Sequence, residues 1–456
     1  MPQNNRSPIV YIVPIIIVLI LIGLAFYIIF NRKTSVTTTD TTNSQDGSFT
    51  PFGTIPPHST TTAVTRTTVS TNTLSSYSNN KISLRLLSNT PVGGYGASTT
   101  ASTTIVRWVD RGRGNIYEAR YNDPNIITIS NTLVPKIYNS TWNKNLTAFI
   151  GPTIQDTISE PSTLYAEIRA RIVPIISSTT KKTSSTTPQT STSTALASST
   201  IVAPGTSFIG QTPYELKGKN LPAHIITYAA SPKMDKIFFL VNESGYGVGY
   251  TASFDGKSVT KIFSTPILQL NAEWPEENTI ALTTKGSALY GGFLYFVNPK
   301  TGAWKKIIGP ILGLSTKVSH DAKYVLASSA ETNSVSTAIF NISTQKYTTA
   351  LVKTIADKCT WGNFNAAMVY CAVPSQSVPG LYPDDWYRGI ISFADKLWQL
   401  NASSGEIHLV STIVDQSDRV IDAINLGLDP KDEYLFFMNK NDLSLWSYDL
   451  VSGKVR

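Results

Sequence analysis

Polar turns followed by apolar strands recur along most of the chain. Six stretches begin with a turn rich in Pro, Asp, Asn or Lys and continue into an apolar run. They read WNKNLTAFI at 142–150, SPKMDKIFFLV at 231–241, WPEENTIALTT at 274–284, SHDAKYVLASS at 319–329, WGNFNAAMVYCAV at 361–373 and LDPKDEYLFFMN at 428–439. Turn residues bounded by apolar and aromatic runs are typical of β-hairpins. Each copy is therefore predicted to hold two strands, a and b.

A second repeated block follows in several copies. It reads FLYFVNPKTGAWKKII at 293–308, KLWQLNASSGEIHLV at 396–410 and LSLWSYDLVSGKVR at 443–456. A strand with a central aromatic residue enters a turn containing Gly, and another strand leaves it. These are strands c and d, so one unit contains four strands.

The spacing of these units predicts the fold class. The last five of the six turn-and-strand stretches start at residues 231, 274, 319, 361 and 428. Successive starts are 43, 45, 42 and 67 residues apart. Four-stranded units at this period are typical of a β-propeller. Amphipathic stretches of helical period are not found in the repeats. We therefore predict an all-β fold with a single propeller over residues 77–456. Six aligned units and a further one at 91–131 predict seven blades, with six or eight as alternatives.

The repeats resemble the WD40-like and TolB-like β-propeller family, in its membrane-anchored bacterial type. SPKMDK, SHDAKY and DPKDEY match the degenerate Ser-Pro-Asp-Gly-Lys turn of that family, and LWQL and LWSY match its strand c. The Gly-His and Trp-Asp dipeptides of true WD40 repeats are absent, which favours the TolB-like group. The resemblance covers about residues 82–456 and implies architecture rather than activity.

The two ends of the repeat region are predicted to pair with each other. The last unit ends just after its Gly turn, so its strand d is nearly missing. Residues 84–95 resemble the d strands at 261–270 and 305–314. We therefore predict that Ile82–Ser88 complete the last blade, which would remove an exposed sheet edge.

An apolar segment and a low-complexity linker precede the repeats. After a short tail at 1–8, residues 9–30 carry no charge, and as a helix they would rise about 33 Å, enough to cross a bilayer core. They lack the short core and cleavage site of a signal peptide. Residues 31–76 are rich in Ser and Thr and are predicted to be a disordered stalk. We predict a single-pass anchor in the cytoplasmic membrane with the propeller outside the cytoplasm; a cytoplasmic tether is the alternative.

A second low-complexity stretch lies at 177–200, where 17 of 24 residues are Ser or Thr. Strand patterns continue on both sides of it. It is therefore predicted to be a disordered insertion in the propeller, between the second and third blades, with a domain linker as the alternative reading.

The net charge and the absence of known catalytic motifs exclude several classes of function. The net charge is +8, but Lys and Arg are scattered, which argues against a nucleic-acid partner. The four histidines show no metal-ligand spacing, and no nucleophile elbow, P-loop or zinc-protease motif is present. We therefore predict no metal, no cofactor and no enzymatic activity. An extracytoplasmic hydrolase that uses the propeller as a scaffold or regulatory domain is the alternative.

The predicted b–c loop at Ser375–Gly389 is the richest polar and aromatic cluster. Aromatic rings beside directional polar groups are enriched in binding hot spots. The loop is therefore predicted to recognise a protein, peptide or glycan, with an aromatic cap of the blade as the competing reading. Its candidate binding residues are Tyr382, Asp384, Asp385, Trp386, Tyr387 and Arg388.

Cys359 and Cys371 are the only two cysteines in the chain. In an antiparallel hairpin centred on Asn365, these two residues face each other, and so do Trp361 and Val369. This register and a location outside the cytoplasm predict a disulfide. Two buried, reduced thiols are the alternative.

Overall fold

The computed structural model describes residues 83–134, 136–154, 162–174, 199–201 and 213–452. This part of the chain is almost entirely β-structure. Its strands before residue 221 are β1 (Leu84–Ser88), β2 (Val92–Thr99), β3 (Thr104–Asp110), β4 (Ile116–Arg120), β5 (Asp123–Ser130), β6 (Thr141–Trp142), β7 (Ala148–Thr153), β8 (Ser162–Ala170), β9 (Ile172–Pro174), β10 (Ser199–Ile201) and β11 (Tyr214–Asn220).

The remaining strands follow one another at short intervals. They are β12 (Ile225–Ala230), β13 (Lys236–Glu243), β14 (Tyr246–Ser253), β15 (Thr260–Thr265), β16 (Leu270–Glu276), β17 (Thr279–Thr284), β18 (Gly291–Val297), β19 (Trp304–Leu312), β20 (Ser315–Val318), β21 (Tyr324–Glu331), β22 (Ser334–Asn341), β23 (Lys346–Thr349), β24 (Cys359–Trp361), β25 (Met368–Pro374), β26 (Asp395–Asn401), β27 (Ile407–Ser411), β28 (Ala423–Leu428), β29 (Tyr434–Asn439) and β30 (Leu445–Asp449). Within the described residues, helix is limited to a 3-10 turn at Ala356–Lys358, α1 (Asp384–Tyr387) and α2 (Val414–Ser417).

The strands form successive antiparallel meanders. Four sheets contain four consecutive strands each: β12–β15, β16–β19, β20–β23 and β24–β27. A fifth four-stranded sheet has the order β28, β29, β30 and β1, from its innermost to its outermost strand. An eight-stranded sheet consists of the meander β2–β5 and the set β6, β7, β8 and β11, joined by one parallel pair between β5 and β11. Strands β9 and β10 form a separate pair.

The first strands of neighbouring meanders are in contact, so they form the inner wall of a propeller. β12 contacts β16, β16 contacts β20, β20 contacts β24, and β24 contacts β28. Hydrogen bonds cross these junctions, for example from Ala272 N to Thr227 Oγ1 at 3.1 Å. The Tyr95 hydroxyl on β2 donates to Asn425 O on β28 at 2.6 Å, which connects the two ends of the series. The predicted all-β fold and its propeller-like arrangement of antiparallel meanders are therefore confirmed.

The repeated polar turns share one conformation because their first side chain binds the backbone that follows. Ser231 Oγ accepts a hydrogen bond from Lys236 N at 3.0 Å, and Ser319 Oγ accepts one from Tyr324 N at 2.9 Å. Asp429 Oδ1 does the same for Tyr434 N at 2.8 Å. A residue in the left-handed region closes each turn, at Met234, Ala322 and Asp432. Ser and Asp recur here because both have a short side-chain acceptor.

The last sheet is completed by the first strand, as predicted. β1 runs antiparallel to β30, with Leu84 opposite Tyr448 and Leu86 opposite Trp446. Leu84 and Leu87 are both buried, and they pack into two different core clusters on either side of this sheet. β1 therefore connects the last meander to the first one.

The position of the second low-complexity stretch differs from the prediction. β8 and β11 are antiparallel neighbours, with Tyr214 opposite Ala170 and Asn220 opposite Leu164. The chain between them includes residues 177–200. The stretch therefore interrupts one set of four strands, between its third and fourth members, instead of separating two sets.

The predicted anchor and stalk, residues 9–30 and 31–76, lie outside the described residues. Within the described ranges, no helix has the length and hydrophobicity needed to span a membrane.

Cys359 and Cys371 form the predicted disulfide. They lie opposite each other on β24 and β25, with Trp361 opposite Val369, and their Cα atoms are 4.1 Å apart. The register is the one expected for a hairpin centred on Asn365. Both sulfur-bearing side chains are buried between this sheet and β21.

We expect the Cys359→Ala/Cys371→Ala variant to lose about 3 kcal/mol of unfolding free energy, because the bridge closes a short loop in the unfolded chain. Urea unfolding of the variant and of the oxidised protein measures the loss. Reduced wild-type protein serves as the control and should unfold close to the variant. Equal midpoints for the oxidised and reduced wild-type protein would contradict the expectation.

Candidate functional site

Two sets of connections lie on the same face of the propeller. Since neighbouring strands in each meander are antiparallel, the second-to-third strand loops and the links from one meander to the next leave the sheets at the same edge. We call this the upper face. The loop at 375–394 lies there, between β25 and β26, together with the link at 350–358 that leads to β24.

The 375–394 loop is folded around α1. Asp385 Oδ2 accepts a hydrogen bond from Leu381 N at 2.7 Å, and Asp385 Oδ1 pairs with Arg388 at 2.6 Å. The hydrogen bond from Leu381 N lowers the pKa of Asp385, and Arg388 adds to the effect. Below the helix, the rings of Tyr382 and Trp386 are stacked near Phe393, with ring centres 6.1 and 6.3 Å away.

The same loop is attached to three other parts of the upper face. Asp384 Oδ2 accepts a hydrogen bond from Ala288 N at 2.7 Å, in the connection between β17 and β18. The Tyr387 hydroxyl donates to Asp357 Oδ2 at 2.5 Å, just before β24. Lys440, after β29, donates to Trp386 O. These contacts fix the loop against the connections around it.

The six predicted binding residues separate into three groups. Tyr382 and Trp386 are buried, with 3 % and 5 % exposure, so these two rings pack beneath the loop as the competing cap reading expects. Asp384 binds the backbone of the connection between β17 and β18, and Asp385 binds the backbone of its own loop. Tyr387, 42 % exposed, and Arg388 are the members that reach solvent.

Exposed apolar side chains gather beside Tyr387. Leu289 and Tyr290 directly follow Ala288, which is bonded to α1, and they are 69 % and 75 % exposed. Leu381 and Ile390 flank α1 and are also exposed. We call these five residues the upper apolar patch: Leu289, Tyr290, Leu381, Tyr387 and Ile390. A cavity of about 330 Å³ opens nearby, lined in part by Val335, Leu351, Tyr382 and Phe393.

Beneath the loop lies a buried charge cluster that sequence reasoning missed. Lys358 is fully buried, and its Nζ lies 2.8 Å from Asp395 Oδ2, in contact with Asp422 Oδ1, and 3.0 Å from Ala423 O. Both carboxylates are fully buried too. The Nζ atom lies about 5 Å from the ring centres of Trp386 and Phe393.

The two carboxylates have different surroundings. Asp422 Oδ2 accepts hydrogen bonds from Trp386 Nε1 at 2.9 Å and from Ser392 Oγ and Phe393 N, both at 3.1 Å. Asp395 Oδ2 accepts one from Ala423 N at 2.6 Å, whereas its buried Oδ1 has no partner among the described residues. Burial raises the pKa of Asp395 to about 6; Lys358 opposes this shift, and the Asp422 carboxylate adds to it.

The sequence carries only a weak signal for this cluster. Lys358, Asp395 and Asp422 each begin or directly precede a strand, where charged residues are common and usually exposed. They come together because β24, β26 and β28 start at the same edge. Among the described residues, no group of three or more His, Cys, Asp or Glu is arranged to hold a metal ion.

Comparison with known proteins finds solved structures that are similar at low sequence identity. No protein-family model matches the sequence, and no curated protein matches it either. The similar solved structures include TolB from Acinetobacter baumannii, at 11 % identity and a TM-score of 0.38, covering 66 % of this chain and 62 % of that one. The chain thus spans less than two thirds of that TolB structure.

Two further similar structures are enzymes. One is an oligogalacturonate lyase in complex with manganese, at 11 % identity and a TM-score of 0.44, covering 80 % of this chain and 98 % of that one. The other is a Mycobacterium tuberculosis puromycin-hydrolyzing peptidase, at 9 % identity and a TM-score of 0.44. The match covers 77 % of this chain and 50 % of that one. The prediction that this chain is not an enzyme is corrected here, because similar propellers occur in enzymes. At these TM-scores, no activity is transferred to this chain.

Proposed function

We propose that the described region is a seven-bladed propeller. In this count the eight-stranded sheet contributes two blades, because its two halves meet at a single parallel pair. The other five blades are the four-stranded sheets, the last of them completed by β1. The contacts between successive first strands support this reading.

We further propose that this propeller is a binding module for a protein ligand, and that the upper apolar patch is its binding surface. The observation that carries the proposal is the gathering of exposed Leu289, Tyr290 and Ile390 around one anchored helix. Contiguous exposed apolar residues are typical of interaction sites. Three of the five patch residues are aliphatic, namely Leu289, Leu381 and Ile390, which favours a protein or peptide over a glycan.

The anchoring of the loop lowers the cost of binding. The loop is already tied to Ala288, Asp357 and Lys440 through two of its side chains and one backbone carbonyl, so little conformational freedom remains to be lost when a ligand docks. Arg388 at the rim can pair with an acidic group of the ligand. Trp386 and Tyr382 support the surface from below instead of touching the ligand.

The test compares two exposed surfaces. We expect Leu289→Ser/Tyr290→Ser to reduce ligand capture by tenfold or more while the melting temperature stays unchanged, because both residues are exposed. Capture is measured with the purified propeller on surface proteins of the native cells. Phe364→Ser is the control, since Phe364 is 84 % exposed on a first-to-second strand turn at the opposite edge. Equal capture by all three proteins would reject the patch.

We also propose that the propeller is held outside the cytoplasmic membrane by the segment at 9–30 and the linker at 31–76. The uncharged segment, the Ser/Thr-rich linker and the disulfide support this location.

Protease added to intact cells, or to spheroplasts if an outer barrier exists, is expected to degrade the 77–456 region. A cytoplasmic protein of the same cells should remain intact as the control. Full protection of the 77–456 region, with lysis restoring its cleavage, would reverse the proposed topology.

A further inference from the structure

The buried cluster of Lys358, Asp395 and Asp422 has no part in the binding surface proposed above. It brings an amine nitrogen within 2.8 Å of a carboxyl oxygen, at a fully buried position beside two aromatic rings. A second carboxylate contacts the same amine. An ion pair in such surroundings is costly, because both charges have lost their hydration.

We propose that Lys358 and Asp395 are joined by an intramolecular amide bond, formed by the folded protein itself with Asp422 as the proton carrier. The bond would link the start of β24 to the start of β26, and the reaction needs no co-reactant. The product is a modified lysine inside the propeller, with one water molecule released.

The reaction balances as a condensation. An ammonium proton moves from Lys358 Nζ to Asp422, which leaves a neutral amine and a neutral acid. The amine attacks Cγ of protonated Asp395, so an N–C bond forms. Asp422 then gives its proton to the Asp395 hydroxyl oxygen and receives one from the attacking nitrogen. The C–O bond breaks, and water is released. Asp422 ends protonated, and no charge remains in the cluster.

The hydrogen bonds assign the roles of the two carboxyl groups. Ala423 N donates to Asp395 Oδ2 at 2.6 Å, so this oxygen is held as the carbonyl oxygen of the product and its developing charge is stabilised. Asp395 Oδ1 has no partner in the described structure and is free to leave as water. Asp422 Oδ2 is held by three donors, whereas Asp422 Oδ1 contacts the amine and accepts just one longer hydrogen bond, from Trp386 Nε1 at 3.3 Å, so it is the oxygen placed to carry the proton.

Burial also explains why the bond would persist. Trp386 and Phe393 cover the amine, and both are nearly inaccessible to solvent. Hydrolysis requires water to return to the same carbon. Condensation further removes the buried charges, whose desolvation opposes folding.

The mass of the full chain tests the proposal directly. Purified, reduced and alkylated protein is expected to be lighter than its sequence mass by one water molecule. Trypsin should fail to cut after Lys358, so that residues 354–388 are recovered linked to residues 389–396. The full sequence mass with normal cleavage after Lys358 would overturn the proposal. A link to residues 420–431 would overturn the choice of Asp395 as the acceptor.

Two variants test the assigned roles. Asp395→Asn should give the same product as the unchanged protein, by loss of ammonia instead of water, so the final masses should be identical. Asp422→Asn removes the proton carrier and should yield uncondensed protein; a condensed Asp422→Asn chain would overturn the role of Asp422. Lys353→Arg is the matched control, since Lys353 is exposed and five residues away, and it should leave the bond intact.

Discussion

A chain that lacks residues 77–89 is expected to lose roughly 4–8 kcal/mol of unfolding free energy, because two buried leucines leave with β1. Leu84 packs with Trp446 and Tyr448, whereas Leu87 packs with Trp108 and Phe436. The deletion thus opens the core on both sides of the last sheet. It also leaves β30 with an unpaired edge, which promotes association between chains.

Thermal unfolding measured by circular dichroism, with the oligomeric state followed by light scattering, checks this expectation. Deletion of residues 61–73 within the predicted linker is the control, since it removes the same number of residues. The control should melt like the full chain. An unchanged melting temperature for the 77–89 deletion would show that β1 contributes little to closure.

The sequence predicted the features that depend on short-range patterns. The opposition of Cys359 and Cys371 follows from a tight turn and the two-residue period of a strand, so one turn position fixes the whole register. The pairing of β1 with β30 followed from a unit that lacked its fourth strand. In both cases, only one segment of the chain can pair with the strand that the local pattern predicts.

Features that depend on distant contacts were not predictable in the same way. The stretch at 177–200 was expected between two blades, but the pairing of β8 with β11 across it has no local signal. Trp386 and Tyr382 were predicted to be recognition residues because aromatic rings in a polar loop are often exposed. The structure places Trp386 beside Lys358 and Phe393, and Tyr382 beside Phe393, and no spacing in the sequence links these residues.

Replacing Lys358 by Met is expected to lower the unfolding free energy by about 3–5 kcal/mol, because the variant has neither a cation nor the proposed amide bond to neutralise its two buried carboxylates. Neither Asp395 nor Asp422 is accessible to water that could hydrate it. Loss of the cluster would also loosen Trp386, whose indole donates to Asp422, and with it the loop that carries the upper apolar patch.

Urea unfolding of three further proteins separates this effect from the loss of an ordinary surface charge. Lys353→Met removes an exposed lysine 3.3 Å from Glu331 and should cost at most about 1 kcal/mol. The Lys358→Met/Asp395→Asn/Asp422→Asn variant carries no charge in the cluster and should recover part of the loss, because its amides keep hydrogen bonds to Ala423 N and Trp386 Nε1. Lys358→Arg cannot form the proposed amide bond, but it places a positive charge beside the two carboxylates. Its longer side chain does not fit the packed space beneath Trp386, so its stability should fall between those of the wild type and Lys358→Met. If Lys358→Met were as stable as Lys353→Met, the cluster would be no more important to the fold than a surface ion pair.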